Sequence, residues 1–308
     1  ARVISHLDDD AIRASAEILG NGGIVALPTE TVYGLGASVT SPTGLRRVFE
    51  VKGRPFDHPL ITHGASSAIL DNVGENVSPI ARKLAELVWP GPLSLLVPRS
   101  DSLDPLVTGG RSSVVVRVPA HDFFRQVVEA LGSPIAAPSA NRFGRVSPTI
   151  AEHVRSDLGL DVDLIVDGGP SVIGVESTII DTTLEPPQIL RHGGIPMEDL
   201  ELLTGVAFAE ASGGSRAPGM LASHYSPRCA VHLAESQAQA DEMLAQFPTG
   251  SSGLIDAPSS LAMYAATLFS SLRACDDKGW LHAVAVLPAD VGLGRAIRDR
   301  LQRAASPS

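Results

Sequence analysis

The sequence predicts an α/β fold built on a mixed sheet, and three observations carry that prediction. Short apolar or β-branched runs recur along the chain. Amphipathic helical stretches lie between them. The two kinds do not alternate strictly, as they would in a doubly wound parallel sheet. The chain has 308 residues, 44 % hydrophobic and 19 % charged, which is enough for one large domain or two ordinary ones with a sizeable core.

Residues 11–19 read as a helix behind the acidic caps Asp8, Asp9 and Asp10, stopped by Gly20-Asn21-Gly22-Gly23. Residues 24–27 form a buried strand, 42–51 a helix and 60–62 a strand. Ser78 caps a helix over 79–88 whose first residue is proline. Strands follow at 93–97 and 114–118, a helix at 123–131 and a strand from 135. Three more strands are expected at 164–166, 177–181 and 188–190, then a short helix at 197–203. Residues 210–225, EASGGSRAPGMLASHY, have too little apolar periodicity for an element and read as a linker. Beyond it lies a smaller unit: strands at 230–233, 253–255 and 284–287, with helices at 237–247, 261–275 and 295–304.

Composition excludes several classes. The formal net charge of −10 argues against a broad duplex-binding surface, yet leaves room for an anionic small substrate if a few cations are focused in one cleft. The cations are nearly all arginine; the three lysines are Lys52, Lys83 and Lys278. Cys229 and Cys275 lie far apart in sequence and have no metal-ligand spacing. No long apolar run predicts a membrane span, and residues 1–10 lack the basic flank and apolar core of a secretory signal. A reducing, cytoplasmic setting is therefore expected. No GxxxxGK[ST] phosphate loop, GxSxG elbow or HExxH motif occurs.

Four segments stand out. In LPTETVYGLGA (27–37), hydroxyls at Thr29, Thr31 and Tyr33 share one face if the stretch is extended, and Gly34 and Gly36 allow close backbone approach. In VKGRPFDHPL (51–60), an extended backbone puts Lys52 and Arg54 on the same side, which suits an anion between them; an isolated pair of this kind is ordinarily a solvated basic turn. In PIAAPSANRFGRVSP (134–148), small hydroxyls and amides at a strand end can bind a nucleotide, while Ser147 reads equally well as the cap of a helix starting near Pro148. Ser139 has no evident His and Asp partners and is not read as a nucleophile. GVESTIID (174–181) clusters Glu176, Ser177 and Thr178 at a strand start, and ILRHGG (189–194) places Arg191 just past a strand end, where α/β ligands bind.

These segments, in this order, resemble the YrdC-like family, as do WPGPLSLLV (89–97) and SSVVVRVP (112–119). With HYSP (224–227) and the small C-terminal unit, nearly the whole chain resembles the two-domain threonylcarbamoyl-AMP synthases. The resemblance implies a YrdC-like α/β domain over 1–209, a twisted mixed sheet with a large concave site. It also implies a linker at 210–229 over that site and a small Rossmann-like domain at 230–308. It implies that L-threonine, bicarbonate and ATP, with Mg2+ on the phosphates, give threonylcarbamoyl-AMP and pyrophosphate. Separate transferase proteins then carry the group to tRNA beside the anticodon.

By matching position, the family's KxR and SxN signature falls on Lys52, Arg54, Ser139 and Asn141. Nucleotide contacts fall on Arg54, His58, Ser113, Ser139, Ser147 and Arg191, although asparagine is common in the family where His58 stands. Threonine contacts fall on Thr31, His63, Arg117, Ala137 and Ser177. Tyr225 lies in the linker motif that reaches over the site, with His224 beside it. The competing readings are a carbamoyl-adenylate-forming relative, a non-catalytic RNA- or nucleotide-binding module in translation, and a sensor governed by the C-terminal unit.

Overall fold

The computed structural model describes residues 1–212, 216–218 and 225–306. Among these, one sheet holds β1 (Arg2–Ile4), β2 (Val25–Leu27), β3 (Gly34–Ser38), β4 (Ile61–His63), β5 (Leu93–Pro98), β6 (Ser113–Arg117), β7 (Ile135–Ala136), β8 (Leu164–Val166), β9 (Thr178–Asp181), β10 (Gln188–Arg191) and β11 (Ala209–Glu210). Their spatial order is β1-β8-β2-β3-β7-β4-β6-β5-β9-β10-β11, and parallel and antiparallel pairs mix as expected. Helices α1 (Asp9–Gly20), α2 (Pro42–Lys52), α3 (Ile69–Val73), α4 (Pro79–Val88), α5 (Pro105–Thr108), α6 (Asp122–Leu131), α7 (Ala151–Leu158) and α8 (Met197–Thr204) cover it. Period-two alternation assigns the two faces. Ala26 and Ala136 enter the main core with Leu35, Phe49 and Val116, whereas Val25, Leu27 and Ile135 pack with Phe123, Phe124 and Val127 of α6.

A second sheet, β12 (Ala230–Ala234), β13 (Ser252–Leu254) and β14 (His282–Val286), is all parallel with order β12-β14-β13. It packs with α9 (Gln237–Leu244), α10 (Leu261–Asp277) and α11 (Leu293–Ala305). The two sheets are joined by one apolar cluster. Val32, Val146 and Val175 from loops of the large sheet pack with Tyr225, Phe269 and Leu272, and with Ile297 and Leu301 of α11.

The main departures from the sequence reading are local. β1, α3 and α5 have three to five residues each, too short to show a period. The stretch around Thr29–Val32 is a turn, not a strand. Thr29 Oγ1 accepts from the backbone N–H of Thr31 and Val32 and lies 2.9 Å from Thr31 Oγ1, while Tyr33 sends its hydroxyl away, donating to the Gly169 carbonyl at 2.6 Å. Lys52 and Arg54 do not share a side of an extended segment. Lys52 ends α2, and Gly53, in the left-handed region at φ 66°, turns the chain so that Arg54 leaves in another direction. Ser147 caps no helix: α7 begins at Ala151 behind Ile150, and the Ser147 hydroxyl is donated to Glu176 instead.

One glycine fixes how two of the notable segments meet. Gly193 sits against the backbone of 176–178, where a Cβ would approach the Glu176 carbonyl oxygen to 2.3 Å and Thr178 N to 2.4 Å, and the neighbouring Gly194 N–H donates to that same carbonyl at 2.9 Å. Backbone cannot yield as a flexible side chain does. Gly193→Ala is expected to lower the unfolding free energy by about 1–3 kcal/mol, read from urea midpoints at constant m; an unchanged midpoint would contradict this packing.

Candidate active site

The turn at 29–32 and the ends of β4, β6, β7, β9 and β10 surround a cavity. Thr31, Arg54, His63, Arg117, Ala137, Ser139, Ser177, Arg191 and Tyr225, all marked by the sequence, contribute to its wall. Glu176, Phe124 and Pro218 join them.

Charge divides this cavity. Arg117, on the last position of β6, is buried with its Nη2 2.7 Å from Glu30 Oε1. Its Nη1 donates to Thr31 Oγ1 at 2.9 Å and its Nε to the Gly91 carbonyl at 3.2 Å. Glu176 is likewise matched: Ser147 donates to one oxygen at 2.6 Å and Arg300 to the other at 2.8 Å. Burial alone would raise the Glu176 carboxyl, but the charges of Arg300 and Arg191 and these hydrogen bonds outweigh it and hold the group below its ordinary value. It is ionised at neutral pH.

Arg54 and Arg191 are different. Arg54 donates to the Pro59 carbonyl at 2.9 Å and more weakly to that of His58, with its guanidinium 5.7 Å from the Phe143 ring. Arg191 donates to the Ser177 carbonyl at 3.0 Å, the Ser177 hydroxyl at 3.1 Å and the Pro218 carbonyl at 3.2 Å. Neither forms an ion pair among the described residues. Burial pushes Arg54 down to about 10, so it stays protonated near neutral pH. Two guanidiniums thus face one cavity held by neutral acceptors, a setting that favours an anion.

Beside Arg117, His63 is buried and driven down to about 3, first by burial and then by the Arg117 charge. It is a neutral imidazole, and its Nδ1 has no hydrogen-bond partner among the described residues. Thr31, His63 and Ser177 therefore give this end of the cavity small polar groups suited to a compact polar ligand.

Five expected site residues lie outside the wall. Lys52 is fully withdrawn: its Nζ donates to the carbonyls of Ser139 at 2.5 Å and Asn141 at 2.6 Å. The Asn141 amide donates to the carbonyls of Arg142 and Arg145 at 2.8 and 2.7 Å. Both thus shape the loop that presents Ser139. His58 packs against Phe143 with ring centroids 5.4 Å apart. Burial, then the neighbouring Arg54 charge, lowers its pKa, so it adds no cation. Ser147 is held by Glu176. Ser113 lies on the same face of β6 as Val115 and Arg117, about 13 Å along the strand from Arg117. His224 lies outside the described residues.

The sequence motifs contained Glu30 and Glu176 but assigned neither a role. Arg300 was missed altogether, although a signal existed. It falls on the buried stripe of α11 with Ala296, Ile297, Leu301 and Ala304, where an apolar residue is the rule.

Comparison with known proteins places the chain in a family. A family model described as "Telomere recombination", covering the Sua5, YciO and YrdC proteins, matches residues 17–193. Another, "Threonylcarbamoyl-AMP synthase, C-terminal domain", matches residues 195–306. A threonylcarbamoyl-AMP synthase of Pyrococcus abyssi is 38 % identical over 98 % of this chain and 96 % of its own. The chain belongs to the threonylcarbamoyl-AMP synthase family. A second relative of that name, from Bacillus subtilis, is 35 % identical over 97 % of this chain and 94 % of its own. The crystal structure of the P. abyssi protein Sua5, complexed with L-threonine, superposes with a TM-score of 0.94 at 37 % identity, covering 99 % of this chain and 98 % of that one.

The position of Lys52 separates two roles. If it holds the Ser139–Asn141 loop, Lys52→Met removes the ammonium from both carbonyls, leaving that of Ser139 with the Asn141 N–H and that of Asn141 without its Lys52 donor; it lowers the unfolding free energy by roughly 2 kcal/mol and reduces turnover together. Urea unfolding beside an activity assay reads both. Lost turnover at unchanged stability would return Lys52 to direct contact with substrate.

Proposed function

We propose that this chain joins L-threonine, bicarbonate and ATP into threonylcarbamoyl-AMP and pyrophosphate, the activated intermediate for threonylcarbamoyladenosine modification of tRNA. The observation that carries this reading is the pair of unneutralised guanidiniums, Arg54 and Arg191, in the same cavity as the small polar group Thr31, His63, Arg117 and Ser177. Family membership over nearly the full chain supports it.

The chemistry follows from charge. The threonine amine, as the free base, takes up CO2 or activated bicarbonate to form a carbamate. A carbamate oxygen then attacks the α-phosphorus of ATP, the bond to the bridging oxygen breaks, and pyrophosphate leaves. Carbamate and triphosphate are both anions, so bringing them together is the first barrier; Arg54 and Arg191 lower it by holding positive charge where the two meet. Thr31, His63 and Ser177 orient the amino acid, and the Thr31 hydroxyl is itself fixed by Arg117. No covalent enzyme intermediate is required. Tyr225, one part of the linker that lies in the wall, helps exclude water from a carbamate and a mixed anhydride that both hydrolyse readily.

Among the described residues no group of three or more His, Cys, Asp or Glu is placed to hold a metal ion, and Glu30 and Glu176 already face Arg117 and Arg300. Mg2+ would be carried by the ATP phosphates rather than by these carboxylates, and would there neutralise charge on the leaving group. We further read residues 1–209 as the catalytic domain, 210–229 as the linker and 230–308 as the small domain. The product would pass to separate transferase proteins in the cytoplasm; no described helix is long and apolar enough to cross a membrane.

The purified protein should release pyrophosphate from ATP only when threonine and bicarbonate are both present, with threonylcarbamoyl-AMP seen by mass spectrometry. Arg54→Ala and Arg191→Ala should each lower that rate by about a hundredfold or more while circular dichroism is unchanged. Full turnover in both variants would remove the cation argument. Turnover with carbamoyl phosphate in place of threonine and bicarbonate would favour a carbamoyl-adenylate enzyme, and tight RNA binding without pyrophosphate release a translation module.

A further inference from the structure

A side chain of the small C-terminal unit bonds directly to a residue of the cavity wall. Arg300 lies on the buried stripe of α11 and is 0 % exposed. A guanidinium placed there is destabilising unless it is paired. Its partners come from the other sheet's loops. Its Nε donates to Glu176 Oε2 at 2.8 Å, and its Nη1 to the carbonyl of His192, next to Arg191, at 2.9 Å. Nη1 also donates to Asp299 at 2.7 Å. The guanidinium lies 5.4 Å from the ring of Tyr225, which also stacks on Phe269 of α10 at 5.3 Å. Tyr225 is held at φ 64°, a backbone conformation that a non-glycine residue keeps only when its surroundings enforce it.

Resting on the function proposed above, we propose that Arg300 is a positioning residue for the nucleotide end of the cavity: from the small unit it neutralises Glu176 in the wall and steadies Tyr225, leaving Arg191 free for phosphate. The charged and titratable groups around Glu176 are Arg300, Arg191, Tyr225 and, behind Arg300, Asp299. Without Arg300, Glu176 has Arg191 as its remaining cation. Arg191 then turns from phosphate to carboxylate, and its positive charge is no longer available to the incoming nucleotide. Threonine, at the Thr31 and His63 end, is affected far less. The small unit thereby takes part in ATP binding while touching no substrate.

Arg300→Met and the double variant Glu176→Gln/Arg300→Met test this beside the wild-type protein, using the full chain. ATP affinity by calorimetry and the KM for ATP are both expected to weaken about tenfold or more in Arg300→Met, with the KM for threonine within about threefold of wild type. The ATP defect should shrink as pH falls from 8 towards 6, because Glu176 without Arg300 loses the larger of the two cationic charges that hold its pKa down and takes up a proton more readily, which frees Arg191 again. Removing the carboxylate as well should return ATP affinity to within about threefold of wild type. A fall in kcat alone, with ATP affinity and pH profile unchanged and no rescue by Glu176→Gln, would overturn the proposal and leave Arg300 a packing residue. If Arg300→Met does not fold, the double variant decides alone: folded with near-normal ATP affinity supports the proposal, while weak binding or no fold overturns it. Wild-type protein that binds ATP but shows no threonine-dependent turnover would sink the parent function, whereas an active wild type with an indistinguishable Arg300→Met would sink only this inference.

Discussion

A guanidinium withdrawn from water without a carboxylate beside it is unfavourable, and this fold maintains two at one cavity. Arg54 and Arg191 are solvated by backbone carbonyls and a hydroxyl, which satisfy their N–H groups without cancelling their charge. The protein as a whole carries a formal net charge of −10, so these two cations stand against a negative overall balance. The surrounding architecture serves that arrangement. β10 ends at Arg191, the left-handed Gly53 releases Arg54 from α2, and Lys52 holds the loop bearing Ser139.

Two ion pairs complete the pattern. Glu30 matches Arg117 and Glu176 matches Arg300, so charge at these positions is balanced within the protein before any ligand arrives. The Thr31 and His63 end of the cavity is therefore close to neutral, with a neutral His63, and the Arg54 and Arg191 end keeps its positive excess. A buried pair adds little net stability, but it fixes geometry, and breaking one member leaves a charge that must find another partner. This is why Arg300, remote in sequence and on a different sheet's helix, bears on what Arg191 can do. Tyr225 closes the same circuit, because the residue that covers the cavity is stacked on the small unit by Phe269.

Much of the fold was legible in the sequence. Period-two and helical patterns located most strands and helices, and proline and serine marked the start of α4. What escaped was either too short to show a period, such as β1 and α3, or depended on a tertiary partner. Ser147 looked like a helix cap because caps are local, whereas its actual acceptor, Glu176, is 29 residues away. Lys52 and Arg54 looked like a pair because spacing alone cannot reveal that a left-handed glycine separates them. Nine of the expected site residues reach the cavity wall: Thr31, Arg54, Ser139, Ser177 and Arg191 stood out in the motifs themselves, whereas His63, Arg117, Ala137 and Tyr225 were expected from the family resemblance. Long-range charge matching cannot be read from sequence, and Arg300 betrayed itself only as a charge where an apolar residue belonged.

The central claim is that Arg54 and Arg191 bring the nucleotide phosphates to the amino acid. A crystal structure with L-threonine and a non-hydrolysable ATP analogue bound together tests it most directly. Phosphate oxygens within about 4 Å of both guanidiniums, with the amino acid against Thr31 and His63, is the predicted result. Phosphates seated away from both arginines, or nucleotide and threonine in separate cavities, would contradict it.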